Sequence, residues 1–180
     1  MSATAQTSAR EDRTTSQLAG LSAEARAAKL RAANINPQTG LATDYLNHFN
    51  EAIMLLEMAV ASPECAEDLL AWKPISYREH FAASQFRERM IAIEAYETAH
   101  PAARHCLETL ADTMSAVLLV IRAALAGDLP PHVAGDLAQR AAAWLKPLVA
   151  RAGAVINGET AAERVVVPSP QAAIDHLIKP

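Results

Sequence analysis

The chain has 180 residues, 51% hydrophobic and 20% charged, with a formal net charge of -4. That length suits one compact unit with tails rather than two full domains of roughly 100 to 200 residues each, and the acidic balance removes the broad basic field that general nucleic-acid binding requires. Alanine supplies 40 residues, while Leu, Ile, Val and Phe together supply another 40, so large apolar side chains are scarce and must be concentrated on a few faces of an all-α fold.

Residues 1–20, Ser/Thr-rich and without an apolar period, read as a disordered tail with no secretory h-region. A helical bundle domain is expected over 21–153, followed by a C-terminal extension over 154–180 that holds a short helix. Ser22 is the natural N-cap of a first Ala-rich helix reaching about Asn34, which has high propensity and little to bury. Pro37 and Gly40 then break the chain.

A helix over 44–61 follows, in which Leu46, Phe49, Ile53, Leu56 and Val60 recur at spacings of three and four and form a core stripe. Ser62-Pro63-Glu64 starts a short helix that ends near Ala71. Ser76 and Glu79 have the spacing of a capping box and predict one long helix over 76–99. On that wheel Glu79 and Glu97 fall on the same side as Phe86 and Met90, facing the core.

Pro101 opens the next helix, expected to be central and to run to about Ala126, with Leu107, Leu110, Met114, Val117, Ile121 and Leu125 on one side and an all-round apolar stretch in AVLLVI. The turn at Gly127 to Pro131 leads to a helix over 132–152 with Pro147 inside it, a kink position. Ser169-Pro170 caps a last short helix. Four main helices with short connections predict an antiparallel bundle with flanking short helices.

Chemistry-bearing residues are sparse. His48 and Glu51 form one i,i+3 pair, and Glu97 and His100 another. Such carboxylate and histidine pairs build metal centres in helical bundles, so a metal-binding bundle using Fe, Mn or Zn, including a metal-dependent oxidoreductase, is the alternative reading. On the wheel His48 lies about 100° and Glu51 about 160° from the middle of the apolar stripe, on the flank or solvent side. A phospho-accepting role for His48 is disfavoured because Asp44 and Glu51 would repel the phosphate. Cys106 adjoins His105, but neighbouring helical residues point about 100° apart, the wrong geometry for a nucleophile and its base. No phosphate-binding glycine loop, nucleophile elbow or zincin motif occurs.

What remains is surface. Met54, Leu55 and Met58 widen the apolar face of the 44–61 helix, and Trp72 and Tyr77 sit in or beside a connection, where aromatic side chains frequently anchor interfaces. The C-terminal segment reads as either a docking element or a cap on the bundle. The expectation is therefore a non-catalytic module without a cofactor, acting through a protein partner or as a homo-oligomer. Cys65 and Cys106 make no disulfide framework and point to a reducing, cytoplasmic location. The longest strongly apolar run is Met114 to Ile121, far short of the roughly 20 residues of a membrane span.

Overall fold

The structure, a computed structural model, describes residues 16–59, 62–159, 162 and 165–178. Among them the fold is all-α: α1 (Ala23–Ala32), a single 3-10 turn (Thr43–Leu46) leading into α2 (Asn47–Met58), α3 (Pro63–Ala71), α4 (Tyr77–Ala83), α5 (Arg89–Glu97), α6 (Pro101–Leu125), α7 (Pro131–Ile156) and α8 (Pro170–Ile178). No helix among the described residues is long and apolar enough to cross a membrane.

Local chemistry sets most of these boundaries. The Ser22 hydroxyl accepts from the Ala25 amide at 3.2 Å and starts α1. The capping box is formed at α4, where the Glu79 amide donates to the Ser76 hydroxyl and the Ser76 amide donates back to the Glu79 carboxylate at 2.8 Å. Proline occupies the first position of α6 and of α7, where its missing amide costs no ladder bond. Helix α7 continues through Pro147 to Ile156, beyond the end expected for it.

The single helix expected over 76–99 is instead two. At Ser84 the backbone turns extended (ψ 155°), while the hydroxyl donates to the Phe81 carbonyl at 3.0 Å and accepts from the Phe86 amide at 3.3 Å. A serine that satisfies the local backbone competes with the helical ladder, and Phe86 folds back onto Phe81 with ring centroids 5.8 Å apart. The break resets the helical phase. Glu79, Glu97 and Met90 are therefore exposed rather than core-facing, with Glu79 spent on its cap and Glu97 paired with Arg78 at 2.5 Å.

The core is one cluster that includes Phe49, Leu56, Phe81, Leu107, Leu110, Met114, Val117, Ile121 and Leu145. The stripe of α2 is buried as expected at Leu46, Phe49, Ile53 and Leu56, and Val60 lies outside the described residues. Helix α6 buries Leu107, Leu110, Met114, Val117 and Ile121 of its expected side and half-buries Leu125, but Leu119 is exposed, so the AVLLVI stretch is not enclosed all round. Centrality belongs at least as much to α7, which packs against α2, the 3-10 turn, α6 and α8. Its buried residues include Gly135, Ala138, Ala141, Ala142 and Ala152, small enough to let neighbouring backbones come close.

Part of the expected tail and the break around Pro37 and Gly40 are built into this core. Residues 16–20 fold onto α5 and are not part of a free tail: Leu18 is 2% exposed, and the Glu94 carboxylate accepts from the amides of Gln17 at 2.8 Å and Leu18 at 3.0 Å and from the Ser16 hydroxyl. The rest of the expected tail, 1–15, lies outside the described residues. The loop over 33–42 buries Ile35, Leu41 and Ala42 and is clipped to the end of α7, where the Thr39 hydroxyl donates to the Ile156 carbonyl at 2.6 Å and the Asn36 amide group to the Asn157 carbonyl at 3.0 Å. Gly40 is required there. Its φ is +74°, and a Cβ would stand 2.9 Å from the Ala95 carbonyl oxygen and 3.1 Å from the Ala99 Cα.

The C-terminal segment docks on its own chain. Helix α8 packs against α6 and α7 with Leu177 buried, and the Thr113 hydroxyl of α6 reaches the Pro168 carbonyl at 3.4 Å.

Candidate functional site

Seven of the eight Trp, Tyr and Phe residues gather in one group, which also contains His48 and His80. Tyr45 packs edge-on to Phe49 and His80, Tyr77 stacks on Tyr96 with centroids 4.5 Å apart, and the His48 ring stacks on Trp72 at 4.6 Å and 20°. Trp72 and Tyr77, expected at an exposed interface, are buried here, because each polar tip finds a partner inside. The Trp72 indole donates to the His48 carbonyl at 3.2 Å, and the Tyr77 hydroxyl accepts from the Ala42 amide at 2.9 Å. Arg122 of α6 donates to the Trp72 carbonyl and closes the connection over the flank of α2. Burial pushes the hydroxyls of Tyr45, Tyr77 and Tyr96 well above the ordinary tyrosine range.

This cover explains His48. It is 9% exposed rather than at the surface, its Nε2 has no hydrogen-bond partner, and burial followed by the charge of nearby His80 lowers its pKa to about 4. With Trp72 stacked on it, the imidazole presents little surface to a phosphoryl donor. His80, at the half-buried edge of the same recess, is also lowered, by burial, against an opposing pull from Asp44.

The four residues singled out for metal are not brought together. His48 and Glu51 border one recess, with Glu51 exposed, whereas Glu97 sits beside Arg78 in another and exposed His100 precedes α6, its amide donating to the Thr39 carbonyl at 3.3 Å. Among the described residues no three His, Cys, Asp or Glu side chains are grouped so as to hold a metal ion. Cys106 is buried while His105 is exposed, and neither cysteine is in a disulfide.

The surface expected on α2 divides. Leu55 is buried and belongs to the core, whereas Met54 and Met58, one turn apart, are 50% and 45% exposed. Close by, the end of α2, helix α3, the end of α6 and the start of α7 enclose a cavity of about 210 Å³. Its lining side chains, including those of Ala59, Leu69, Leu70, Leu125, Pro131 and Ala134, are apolar, and Leu70 is also 43% exposed. Helical periodicity points to the methionines but not to this hollow, because its lining joins two pairs of consecutive helices, α2 with α3 and α6 with α7, that are far apart in sequence.

No family model, curated protein or solved structure matches the chain.

Proposed function

We propose that this chain is a non-catalytic helical-bundle protein of the cytoplasm that acts by protein–protein interaction, as an adaptor, regulator or self-assembling module, with α2, α6 and α7 as the antiparallel part of the bundle. The observation that carries the reading is the cavity lined by apolar side chains that opens beside exposed Leu70. At about 210 Å³ it falls below the roughly 300 to 1,000 Å³ of small-molecule sites and suits one large apolar side chain presented by a partner, with Met58 as an adaptable rim. The exposed Glu57–Lys146 ion pair joins α2 to α7 and gives this face a polar border.

The test places a photo-crosslinking amino acid at Leu70 and, as a control, at exposed Gln139, alongside sedimentation of the purified chain over a range of concentrations. A discrete adduct at 70 that is missing at 139 and lost on Met58→Glu supports the reading, as does a self-association abolished by Leu70→Glu. Each variant should melt within the roughly 0.5 kcal/mol expected of a surface change. A monomer at every concentration together with identical adducts at both positions would overturn it.

A further inference from the structure

The apolar hollow at α3 is separate from a larger recess of about 630 Å³ between the later turns of α7 and the C-terminal segment, and no residue lines both. Charge narrows what can cover the hollow. Between Arg31 and Lys73 the sequence holds six carboxylates, Asp44, Glu51, Glu57, Glu64, Glu67 and Asp68, and no lysine or arginine. Five of them, from Glu51 to Asp68, lie on the hairpin of α2 and α3 that forms one side of the hollow, against a net charge of -4 for the whole chain.

Neighbouring elements do little to neutralise this hairpin. Lys146 of α7 pairs with Glu57, and Arg122 of α6 donates to the Trp72 carbonyl rather than to a carboxylate. Glu51, Glu67 and Asp68 are exposed, and none of the three is in an ion pair among the described residues. Acidic and apolar side chains share the outward faces. Glu67 and exposed Leu70 are three residues apart on α3, and Glu51, Met54 and Met58 follow one another on α2 at spacings of three and four.

Other occupants fit this face poorly. A second copy docked symmetrically would bring the same acidic hairpin against its own, like charge against like. Residues 1–15 contain no large apolar side chain beyond Met1, and their two arginines are offset by Glu11 and Asp12, so the start of the chain supplies neither anchor nor charge. An extended peptide finds no strand to pair with among the described residues, whereas a helix satisfies its own amides and carbonyls before it docks.

We propose, resting on the reading of the hollow as a docking site, that its occupant is a basic amphipathic helix of a partner protein. One large apolar side chain of that helix seats between Leu69, Leu70, Leu125 and Ala134, and its flanking lysines or arginines meet Glu67 and the acidic face of α2. The apolar anchor fixes where the helix sits, and the charges steer its approach and set its direction.

The experiment titrates the full chain with three synthetic helices of about 18 residues, or five turns. All three share one row of leucines, with a diazirine analogue of leucine in the middle, and they carry Lys, Gln or Glu along both flanks. Binding is followed by fluorescence anisotropy, and the adducts formed on irradiation are mapped by mass spectrometry. The Lys helix should bind saturably, at least about tenfold tighter than the Gln helix and tighter still than the Glu helix. Its affinity should fall as salt rises, and its adduct should lie within residues 66–70 or 125–138. Glu51→Lys with Glu67→Lys should cost the Lys helix about tenfold and improve binding of the Glu helix; both positions are exposed, so the fold is kept. Ala134→Leu, which fills the hollow, should remove the adduct.

Equal or tighter binding of the Gln or Glu helix, or charge reversal without effect, would overturn the basic partner, while an adduct still inside the hollow would leave the docking face standing. No adduct in the hollow from any of the three would overturn the inference, and the crosslinker at residue 70 decides the docking face by itself. A dimer abolished by Leu70→Glu would also overturn it, by seating a second copy there.

Discussion

His48 makes the fold depend on pH in a way that can be separated from its other titrating groups. Its ring is sealed against Trp72 with an unpartnered Nε2, and its pKa is lowered from 6.5 to about 4, by burial first and by His80 second. The unfolded chain therefore binds the proton that the folded chain refuses. Stability from this group is complete above about pH 6.5, declines as pH falls, and is fully lost below about pH 4. The difference of about 2.5 pH units corresponds to at most roughly 3 kcal/mol. Because the recess beside His48 opens toward Glu51 and His80, partial hydration of the imidazolium reduces this to about 2 kcal/mol. Urea denaturation followed by helical circular dichroism at about pH 7 and about pH 4.5 measures the loss. His80 shifts in the same direction, so the wild type is compared with His48→Phe, which keeps a ring on Trp72 and has nothing to titrate. The variant should lose less stability than the wild type on acidification, by about 1 to 2 kcal/mol. Equal pH dependence in the two proteins would refute the assignment of a depressed pKa to His48.

Leu18→Ala should destabilise by about 2 kcal/mol, the low end for a buried leucine, and a thermal scan would show about 4 to 8 °C. Glu94→Gln, which weakens acceptance from Ser16, Gln17 and Leu18, should cost about 1 kcal/mol at neutral pH. Its carboxylate is held below the ordinary range: burial, the largest effect, opposes this and is outweighed by those hydrogen bonds and by Arg26. That contribution is present above the ordinary carboxylate pKa and fades as pH falls through the lowered one, so the gap between Glu94→Gln and the wild type should narrow in acid. Met114→Ala should cost roughly 2 to 5 kcal/mol by urea titration, being fully enclosed on α6. Gly40→Ala combines a left-handed φ with a contact of 2.9 Å to a carbonyl oxygen, and a loss of about 2 kcal/mol or more in melting free energy is expected.

The elements that could be read from the sequence are those whose causes are local. The Ser22 cap, the Ser76 and Glu79 box, the Pro101 start and the stripes of α2 and α6 each depend on residues three or four apart, and each is where that spacing puts it. The break at Ser84 is not legible in the sequence because serine is tolerated within helices, and only the return of Phe86 onto Phe81 makes the local hydroxyl bonds prevail. A single leucine has no periodicity, so Leu18 reads as tail; its backbone amide is held by Glu94, far along the chain. Trp72 and Tyr77 had the composition of an anchor, but whether such a residue points outward depends on which elements cover the connection, and Arg122 on α6 helps to cover it. The metal candidates failed to meet for the same reason: an i,i+3 pair shows that two side chains share a face, not that two such faces oppose each other.

The distribution of large side chains has a consequence for where binding can occur. Seven aromatic residues fill the junction of the 3-10 turn, α2, α4, α5 and the connections on either side of α4, while the buried surface of α7 relies heavily on alanine. Alanine-rich contacts allow backbones to approach closely but supply little apolar area per residue, about 25 cal/mol for each Å² buried. Such helices meet well along their shared line and leave gaps where they diverge, since no long side chain reaches across. Both cavities border α7 or its ends: the apolar hollow lies where α3 and the close of α6 part from its first turns, and the larger one where α8 and residues 166–168 stand off its later turns. Filling either should therefore stabilise the fold. Partner binding to the native state alone adds stability that grows with concentration, so the melting temperature should rise on adding the correct occupant, and Leu70→Glu should lower the rise given by a partner seated at Leu70.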